Sequence, residues 1–261
     1  TNMKIGFIGF GNMGQALGTG FILKNAVEAE QIYVYDKYQK DLKNNSEFSG
    51  VNICSSEIDL VEKVDMVIIA VKPNTVEEVI ERIKEALVNK VLVSLVVNYL
   101  FDQYEQILMP EIHHISILPN IPVSVGEGAI VYENKHSLTD DELKAFTAVF
   151  SKIALLQEVN TNNMGIAGTI TACGPALASM FIEALSDAAV KHGLPRELSY
   201  NLVSQMLVGT GKLQLDTATH PAVIKDKVCS PGGTTILGVT TLEKNSFRGA
   251  VIDGIDAICE K

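Results

Sequence analysis

The sequence predicts two consecutive domains: an α/β domain with a doubly wound, mostly parallel sheet over residues 1–160, and an all-α domain over residues 161–261. Apolar β-type runs alternate with helical patterns as far as Asn160, a glycine-rich turn follows the first run, and β-type alternation disappears after Asn160. With 261 residues, the chain is long enough for two domains that each bury a core.

The first strand and helix flank a glycine-rich turn. The chain opens "MKIGFIGFGNMGQALGTGFI", an apolar run that ends at Ile8, then glycines in GxGxxG spacing, then a helical pattern. Gly9 permits a tight turn, Gly11 admits a pyrophosphate against the backbone, and Gly14 lets the helix pack closely on the strand. In this context the spacing is the Rossmann fingerprint of a dinucleotide-binding domain. The residues predicted to bind the cofactor here are Gly9, Phe10, Gly11, Asn12, Met13 and Gly14.

The second strand, "QIYVYDKYQ", ends at Asp36. An acidic residue at about this separation from the glycines bonds the adenosine ribose hydroxyls in dinucleotide-binding folds, so Asp36 is predicted to bind the cofactor. The alternative is a solvated loop aspartate. A carboxylate that accepts from the 2′-hydroxyl repels a 2′-phosphate, so Asp36 favours NADH, although the neighbouring Lys37 can offset that repulsion.

Further β-type runs occur at "VNIC", "DMVIIAV", "VLVSLVV", "HHISIL" and "GAIVYE", with helical stretches between several of them, notably "NTVEEVIERIKEALV". Sheets built this way bind ligands at the carboxyl ends of their strands. Two strand exits, "AVKPN" and "LPNIP", are therefore predicted to line the cofactor cleft; the alternative is an ordinary strand exit and an ordinary turn. The lining residues are Ala70, Val71, Lys72, Pro73 and Asn120.

The transition to the helical half begins at Thr139, which stands in capping-box spacing with Glu142 and predicts a helix start. "ALLQEV" is predicted as the last strand. From Met164 to His192 the chain is apolar, with charges only in one stripe, as expected of a helix buried nearly all round. Such a helix is roughly 40 Å long, more than a domain of about 100 residues covers alone, so a second subunit is expected to cover it.

"CSPGGTTI", residues 229–236, places two glycines and two threonines before a helical pattern. One interpretation is a Pro-Gly turn in which Thr234 or Thr235 caps the following helix. The other is an anion-binding turn, where backbone N–H groups converge on a carboxylate or phosphate. Local sequence leaves both open.

Composition limits the class of protein. Hydrophobic residues make up 47% and charged residues 20%, as in soluble globular proteins, and the net charge of −10 argues against nucleic acid or an anionic membrane as the main partner. No uninterrupted apolar run is expected to reach the roughly 20 residues of a membrane span, and no secretory signal opens the sequence, which predicts a cytoplasmic protein. The histidines show no HExxH-type spacing, so no metal site is predicted. The cysteines form no CxxC pair, so no disulfide framework is predicted either; they are Cys54, Cys173, Cys229 and Cys259.

Taken together, these stretches resemble the pyrroline-5-carboxylate reductase family over nearly the whole chain. The similarity rests on "IGFIGFGNMG", "AVKP", "PNIPVSVGEGAIVY", "GPALASMFIEALSDAAVKHGLPRELSY" and "HPAVIKDKVCSPGGTTILGVTTLEKNSFRGAVIDGI". The resemblance implies reduction of 1-pyrroline-5-carboxylate to L-proline with NADPH or NADH, the last step of proline biosynthesis. It also implies a homodimer or larger ring of dimers, held by the long apolar helix and the last two helices.

The same resemblance assigns the SPGGTT segment to the substrate site. The N–H groups of Gly233, Thr234 and Thr235 are expected to hold the substrate carboxylate, and the Thr235 hydroxyl is expected beside the imine nitrogen as the catalytic group. The substrate-binding residues so implied are Ser230, Gly232, Gly233, Thr234 and Thr235.

Some positions depart from the family pattern. Val96-Val97-Asn98 stands where Ala-Ala-Gly is usual, Ile121 replaces a threonine, and Thr171-Ala172-Cys173 replaces Ser-Gly-Ser. The acidic residue common upstream of the last motif is Gly165. These changes leave three alternatives open: an altered fit of the cofactor, a reductase of another imine, or a paralogue that binds the cofactor and has a non-catalytic, regulatory role.

Overall fold

The computed structural model describes residues 2–39 and 41–261, which form two compact units. The first unit extends to Ala172 and the second is Cys173–Lys261. The division between them falls within one continuous helix, α6 (Met164–Lys191). The predicted domain boundary at residue 160 lies just before this helix and stays a prediction.

The first unit is built on an eight-stranded sheet in the order β3-β2-β1-β4-β5-β6-β7-β8. All neighbouring pairs are parallel except β6 and β7, so the predicted mostly parallel sheet is confirmed. The strands are β1 (Ile5–Ile8), β2 (Ile32–Tyr35), β3 (Asn52–Ile53), β4 (Met66–Ile69), β5 (Val91–Ser94), β6 (His113–Leu118), β7 (Gly128–Glu133) and β8 (Ala154–Val159).

Apolar side chains cover both faces of this sheet, which is the doubly wound arrangement. Successive residues of β4 alternate between the two cores: Met66 and Ile68 belong to one, Val67 and Ile69 to the other. This is why β4 is a continuous apolar run rather than an alternating one. The helices of this unit are α1 (Asn12–Leu23), α2 (Glu57–Lys63), α3 (Val76–Ile83), α4 (Phe101–Glu105) and α5 (Asp140–Phe150).

The predicted capping box at the start of α5 is present. The Glu142 N–H donates to Thr139 Oγ1 at 3.2 Å, and the Thr139 N–H donates to Glu142 Oε1 at 2.8 Å. These two bonds satisfy donors that the first helical turn leaves without intrahelical acceptors. The helix then packs Phe150 edge-on against Phe21 of α1, with ring centroids 5.2 Å apart.

The second unit is helical throughout its ordered elements, which confirms the predicted all-α class. Large apolar side chains remain exposed on these helices, for example Met180 at 65%, Leu202 at 56% and Leu237 at 65%. A single chain therefore leaves apolar surface of this unit uncovered. After α6, the helices are α7 (Arg196–Thr217), α8 (Pro221–Val228), α9 (Thr235–Lys244) and α10 (Phe247–Cys259).

Within residues 2–39 and 41–261, one helix is long and apolar enough to cross a membrane by length and composition. It is α6 together with the short helical turn before it, Thr161–Lys191, and its most apolar 18-residue window has a mean hydropathy of 1.5. Residues 164–182 contain no charged side chain, so the expectation that no apolar run approaches a membrane span is wrong. The run contains glycine, serine and threonine, which interrupt a strictly apolar pattern, so the pattern underestimated its length. Length and composition alone do not separate a membrane span from a helix covered by another protein surface.

Candidate active site

The glycine turn after β1 fits tightly against the end of β4. Gly9 has φ +90°, and a Cβ at this position would lie 2.5 Å from the carbonyl oxygen of Ala70. The Gly9 N–H also donates to the Tyr35 carbonyl at 2.9 Å. Only glycine combines this φ with so close an approach. Gly9 thus joins the carboxyl ends of β1, β2 and β4 at one point.

The next glycine opens the turn towards solvent. Gly11 is exposed, and a Cβ added to it would meet no protein atom within 4 Å. It is the N-cap of α1, whose first turn carries no acidic residue. Among residues 2–39 and 41–261, nothing accepts from the N–H groups of Asn12 and Met13. Space, unpaired donors and the positive end of a helix dipole together fit the pyrophosphate of a dinucleotide.

Phe10 and Gly14 hold this turn in place. The Phe10 ring is fully buried and packs edge-on against Phe48, with centroids 5.0 Å apart. A Cβ on Gly14 would lie 3.2 Å from both the Gly9 carbonyl oxygen and the Phe10 ring. The side chain of Phe10 is therefore an anchor in the core, and its backbone is bonded within the chain: its carbonyl accepts from Gln15 Nε2 at 2.9 Å.

Asp36 follows β2, as predicted, but its carboxylate is bonded within the chain. Oδ2 accepts from the N–H of Phe10 at 2.6 Å. Oδ1 accepts from the N–H groups of Tyr38 at 2.7 Å and Gln39 at 3.2 Å. Asp36 is therefore neither a solvated loop residue nor a carboxylate with two free oxygens.

The exit from β4 lies beside the glycine turn. The Ala70 N–H donates to the Ile8 carbonyl at 2.9 Å, so Ala70 and Val71 continue the β4 edge next to β1. Lys72 and Pro73 are exposed, and the Lys72 carbonyl accepts from both the N–H and the hydroxyl of Thr75, each at 2.9 Å. These bonds hold Lys72 at the rim of the sheet, where its cation remains available.

The exit from β5 carries the substituted residues Val96-Val97-Asn98. Val96 is buried and Val97 is 56% exposed, so only the second valine faces solvent. Asn98 has φ +60°, a conformation that asparagine tolerates better than most residues with a side chain. The chain thus turns at Asn98 through the left-handed region, and the side chains of Val97 and Asn98 are both exposed at this strand exit.

Two residues that the sequence analysis did not predict as site residues, Ser94 and Tyr104, hold the exit from β5 in place. The buried Ser94 hydroxyl accepts from the Val96 N–H at 3.1 Å and lies 2.6 Å from the Tyr104 hydroxyl of α4. Burial raises the pKa of Tyr104 well above its usual value, so the phenol stays protonated. The only signal in the sequence is a serine within the apolar run "VLVSLVV".

Asn120 is 7% exposed and bonded at both ends of its amide. Its Nδ2 donates to the Thr171 carbonyl at 3.0 Å, and its Oδ1 accepts from the Ala129 N–H at 2.8 Å. The amide thus ties the exit of β6 to β7 and to the start of α6. The next residue, Ile121, is 63% exposed at the same strand exit.

In the second unit, SPGGTT forms a tight turn before α9. The Gly233 N–H donates to the Ser230 carbonyl at 3.0 Å, and Gly232 has φ +73°. This pattern is typical of a type II turn, which needs glycine at its third position. A Cβ on Gly233 would lie 2.6 Å from Ser230 Oγ and 3.2 Å from the Ser230 carbonyl oxygen, so a side chain here would require the Ser230 hydroxyl to rotate away.

The two threonines leave their polar groups open. Thr234 occupies the N-cap position of α9, yet its side chain makes no capping hydrogen bond. Within the described part of the chain, the N–H groups and hydroxyls of Thr234 and Thr235 have no partner, and both residues are exposed. The arrangement therefore differs from a side-chain cap and presents adjacent donors at a helix N-terminus.

No group of three or more His, Cys, Asp or Glu side chains that could hold a metal ion occurs in residues 2–39 and 41–261. The predicted absence of a metal stays a prediction. The four cysteines are free.

A doubly wound sheet with an open glycine turn after its first strand defines the class of dinucleotide-binding proteins, and here a helical unit follows it. Residues 161–261 match the family model described as pyrroline-5-carboxylate reductase dimerisation, and residues 4–98 match that of NADP oxidoreductase, coenzyme F420-dependent. The pyrroline-5-carboxylate reductase of Treponema pallidum is 40% identical over 259 residues, covering 98% of each chain. That of Escherichia coli K12 is 34% identical, covering 99% of this chain and 96% of the relative. The chain therefore belongs to the pyrroline-5-carboxylate reductase family.

A solved structure agrees over the same extent. Plasmodium falciparum pyrroline carboxylate reductase with NADP bound superimposes with a TM-score of 0.85 at 34% identity, covering 99% of this chain and 96% of the other. The comparisons confirm the predicted family. They also confirm the activity predicted with it, NAD(P)H-dependent reduction of 1-pyrroline-5-carboxylate to L-proline.

Proposed function

We propose that this chain performs that reduction with the residues of its two turns, the SPGGTT turn for the substrate and the glycine turn for the cofactor. The observation that carries the proposal is the pair of N–H groups at Thr234 and Thr235, which find no acceptor among the residues that the structure describes. A substrate with a single carboxylate needs a small site of this kind, and glycine keeps side chains out of it.

The cofactor is assigned to the first unit. When bound, the reduced nicotinamide supplies the hydride that adds to the C=N carbon. The N–H groups at the start of α1 hold the pyrophosphate, and the exits of β4, β5 and β6 line the rest of the site. The residues so assigned are Gly9, Phe10, Gly11, Asn12, Met13, Gly14, Asp36, Ala70, Val71, Lys72, Pro73 and Asn120. Asp36 and Asn120, whose side chains are bonded within the chain, would act by holding the strand exits in place.

The substrate carboxylate is assigned to the N–H groups of Thr234 and Thr235. The Gly233 N–H, which already donates to Ser230, contributes as a shared donor. Ser230 and Gly232 shape the turn. The Thr235 hydroxyl lies beside the imine nitrogen in this assignment, and it orients or supplies the proton that the nitrogen acquires as the amine forms.

The substituted residues carry a second candidate function. Val97 and Ile121 are both more than half exposed and both larger or less polar than the family residues they replace. The two side chains would narrow a nicotinamide or imine site at the exits of β5 and β6. A narrower site favours one of two functions: reduction of a different cyclic imine, or binding of the cofactor without turnover. A panel of cyclic imino acids compared by kcat/KM separates these cases. The proposal expects the highest value for 1-pyrroline-5-carboxylate; a higher value for another imine would replace it.

A homodimer or larger ring of dimers completes the proposal, supported by the exposed apolar side chains of the helical unit. An interface formed by these side chains would be as apolar as the core of a domain, as is typical of obligate dimers. Light scattering at micromolar concentration is expected to show an oligomer, and a folded, active monomer would contradict it. A cytoplasmic location is proposed from the four free cysteines, which suit a reducing compartment.

A further inference from the structure

Glu133, the last residue of β7, is a charged residue in the interior of the first unit. Its side chain is fully buried, which is rare for a glutamate because removing a carboxylate from water costs free energy. Its two oxygens accept from neutral donors: the Phe101 N–H at 3.0 Å and the Thr161 hydroxyl at 2.5 Å. These donors lie 32 residues before it and 28 residues after it. Glu133 therefore joins three separate segments of the chain.

One of these is the β5-exit segment, residues 96–101, which connects β5 to α4. Its first N–H group donates to the Ser94 hydroxyl at 3.1 Å, and its last donates to Glu133. Between these ends, the N–H groups of Val97 and Asn98 find no acceptor among residues 2–39 and 41–261. The position of the segment therefore depends on the bonds at its two ends.

The β5-exit segment lies on the opposite side of the glycine turn from Asp36. The sheet places β2, β1, β4 and β5 side by side in that order. A dinucleotide whose pyrophosphate lies at the turn after β1 and whose adenosine lies towards β2 extends its nicotinamide over the exits of β4 and β5. The Leu95 N–H donates to the Ile69 carbonyl at 2.9 Å, so the segment begins directly beside the exit of β4.

We infer that Glu133 is a positioning residue, which fixes the β5-exit segment at the nicotinamide end of the cofactor site through the Phe101 N–H. The carboxylate touches neither the cofactor nor the imine, because it is buried beneath the segment. The bond from Thr161 holds its second oxygen and so sets the orientation of the first. The inference rests on the cofactor site proposed above.

The first experiment compares two substitutions of Glu133 by steady-state kinetics. Glu133→Met keeps an unbranched side chain of similar length and removes both acceptors. Glu133→Gln keeps an oxygen for the Phe101 N–H, and its amide can donate to the Thr161 hydroxyl. Glu133→Met is expected to lower kcat by about 10- to 100-fold, since a misplacement of about 1 Å can cost 10²-fold. Glu133→Gln should regain most of this loss.

The binding of ADP-ribose, or of its 2′-phosphate if the wild type binds that form more tightly, should stay unchanged in both variants because the fragment lacks the nicotinamide. Val149→Ala, which shortens a buried side chain of α5, is the control for a loss of stability alone. It should lower the melting temperature and leave kcat unchanged. A wild-type kcat for Glu133→Met, or an equal loss of kcat for Val149→Ala, would overturn the inference.

A second pair of variants leaves Glu133 in place and decides if Glu133→Met fails to fold. Phe101 is the first residue of α4, where proline is tolerated, and the preceding Leu100 is extended at φ −113° and ψ −170°, as a residue before proline requires. Phe101→Pro and Phe101→Ala both remove the ring, but only the proline removes the N–H that Glu133 holds. The proline variant is expected to have about tenfold lower kcat than the alanine variant. Equal kcat values would overturn the inference.

The last measurement needs no turnover. Hydrogen exchange of the β5-exit segment is followed by mass spectrometry without nucleotide, with the oxidised dinucleotide, and with the matching ADP-ribose fragment. In the wild type only the dinucleotide should slow exchange, and in Glu133→Met or Phe101→Pro the free segment should exchange about tenfold faster than in the wild type. Equal protection by the fragment, or wild-type exchange in these variants, would overturn the inference. A wild type that shows the expected exchange but does not reduce 1-pyrroline-5-carboxylate would contradict the proposed function and leave the inference standing.

Discussion

Replacing Thr235 with alanine separates a catalytic hydroxyl from a helix cap. In the structure the Thr235 hydroxyl has no partner within the described residues, and the N-cap position belongs to Thr234, which itself makes no side-chain cap. The substitution therefore removes no intrachain bond, and the free energy of unfolding is expected to change by less than about 0.5 kcal/mol. A lost cap would cost about 1 kcal/mol.

The effect on turnover is expected to be much larger. A hydroxyl that assists proton transfer to the developing amine is worth about 10² to 10⁴ in kcat, or about 2.7 to 5.4 kcal/mol of activation free energy. If the substrate arrives as an iminium, the hydroxyl only orients it and the loss is about tenfold. Thr235→Ser keeps the hydroxyl and should restore most of the rate.

The assay combines steady-state kinetics with thermal unfolding on the same preparations. Thr240→Ala, on the same helix, is the control for a general effect of removing a threonine; its hydroxyl donates to the carbonyls of Ile236 and Leu237 within the helix. A Thr235→Ala protein that melts earlier yet turns over at the wild-type rate would refute the catalytic assignment.

Four other substitutions test the geometry and the electrostatics of the first unit. Gly9→Ala should lower the free energy of unfolding by more than about 2 kcal/mol, because it combines φ +90° with a contact of 2.5 Å to a backbone oxygen. Gly11→Ala should cost less than about 1 kcal/mol, since alanine is a poorer N-cap than glycine, and should weaken cofactor binding; equal melting temperatures for the two variants would contradict this. Tyr104→Phe should cost about 1 to 2 kcal/mol in urea unfolding, because it breaks a buried bond to Ser94, and an unchanged midpoint would count against the bond. Burial lowers the pKa of His114 below its usual value, so the unfolded chain takes up the proton first and the free energy of unfolding should fall as the pH drops below about 6.5. His114→Gln should reduce that fall, and a variant with the same pH dependence of stability as the wild type would contradict the prediction.

The sequence predicts the sheet and the glycine turn because both depend on short-range patterns. Apolar runs of four to six residues and GxGxxG spacing are local, and each strand they predict is present. The bonds of Asp36 could not be predicted, since Phe10 lies 26 residues earlier and meets it only after β1 pairs with β2. The burial of Asn120 depends in the same way on Thr171, 51 residues later.

The central claim is hydride transfer to the imine carbon by this chain, and isotope transfer tests it most directly. The full-length protein is mixed with 1-pyrroline-5-carboxylate and a reduced cofactor that carries deuterium at both positions of nicotinamide C4. The account predicts L-proline with a single deuterium at C5, formed in equal amount to the cofactor oxidised. Tight cofactor binding without labelled proline would contradict it.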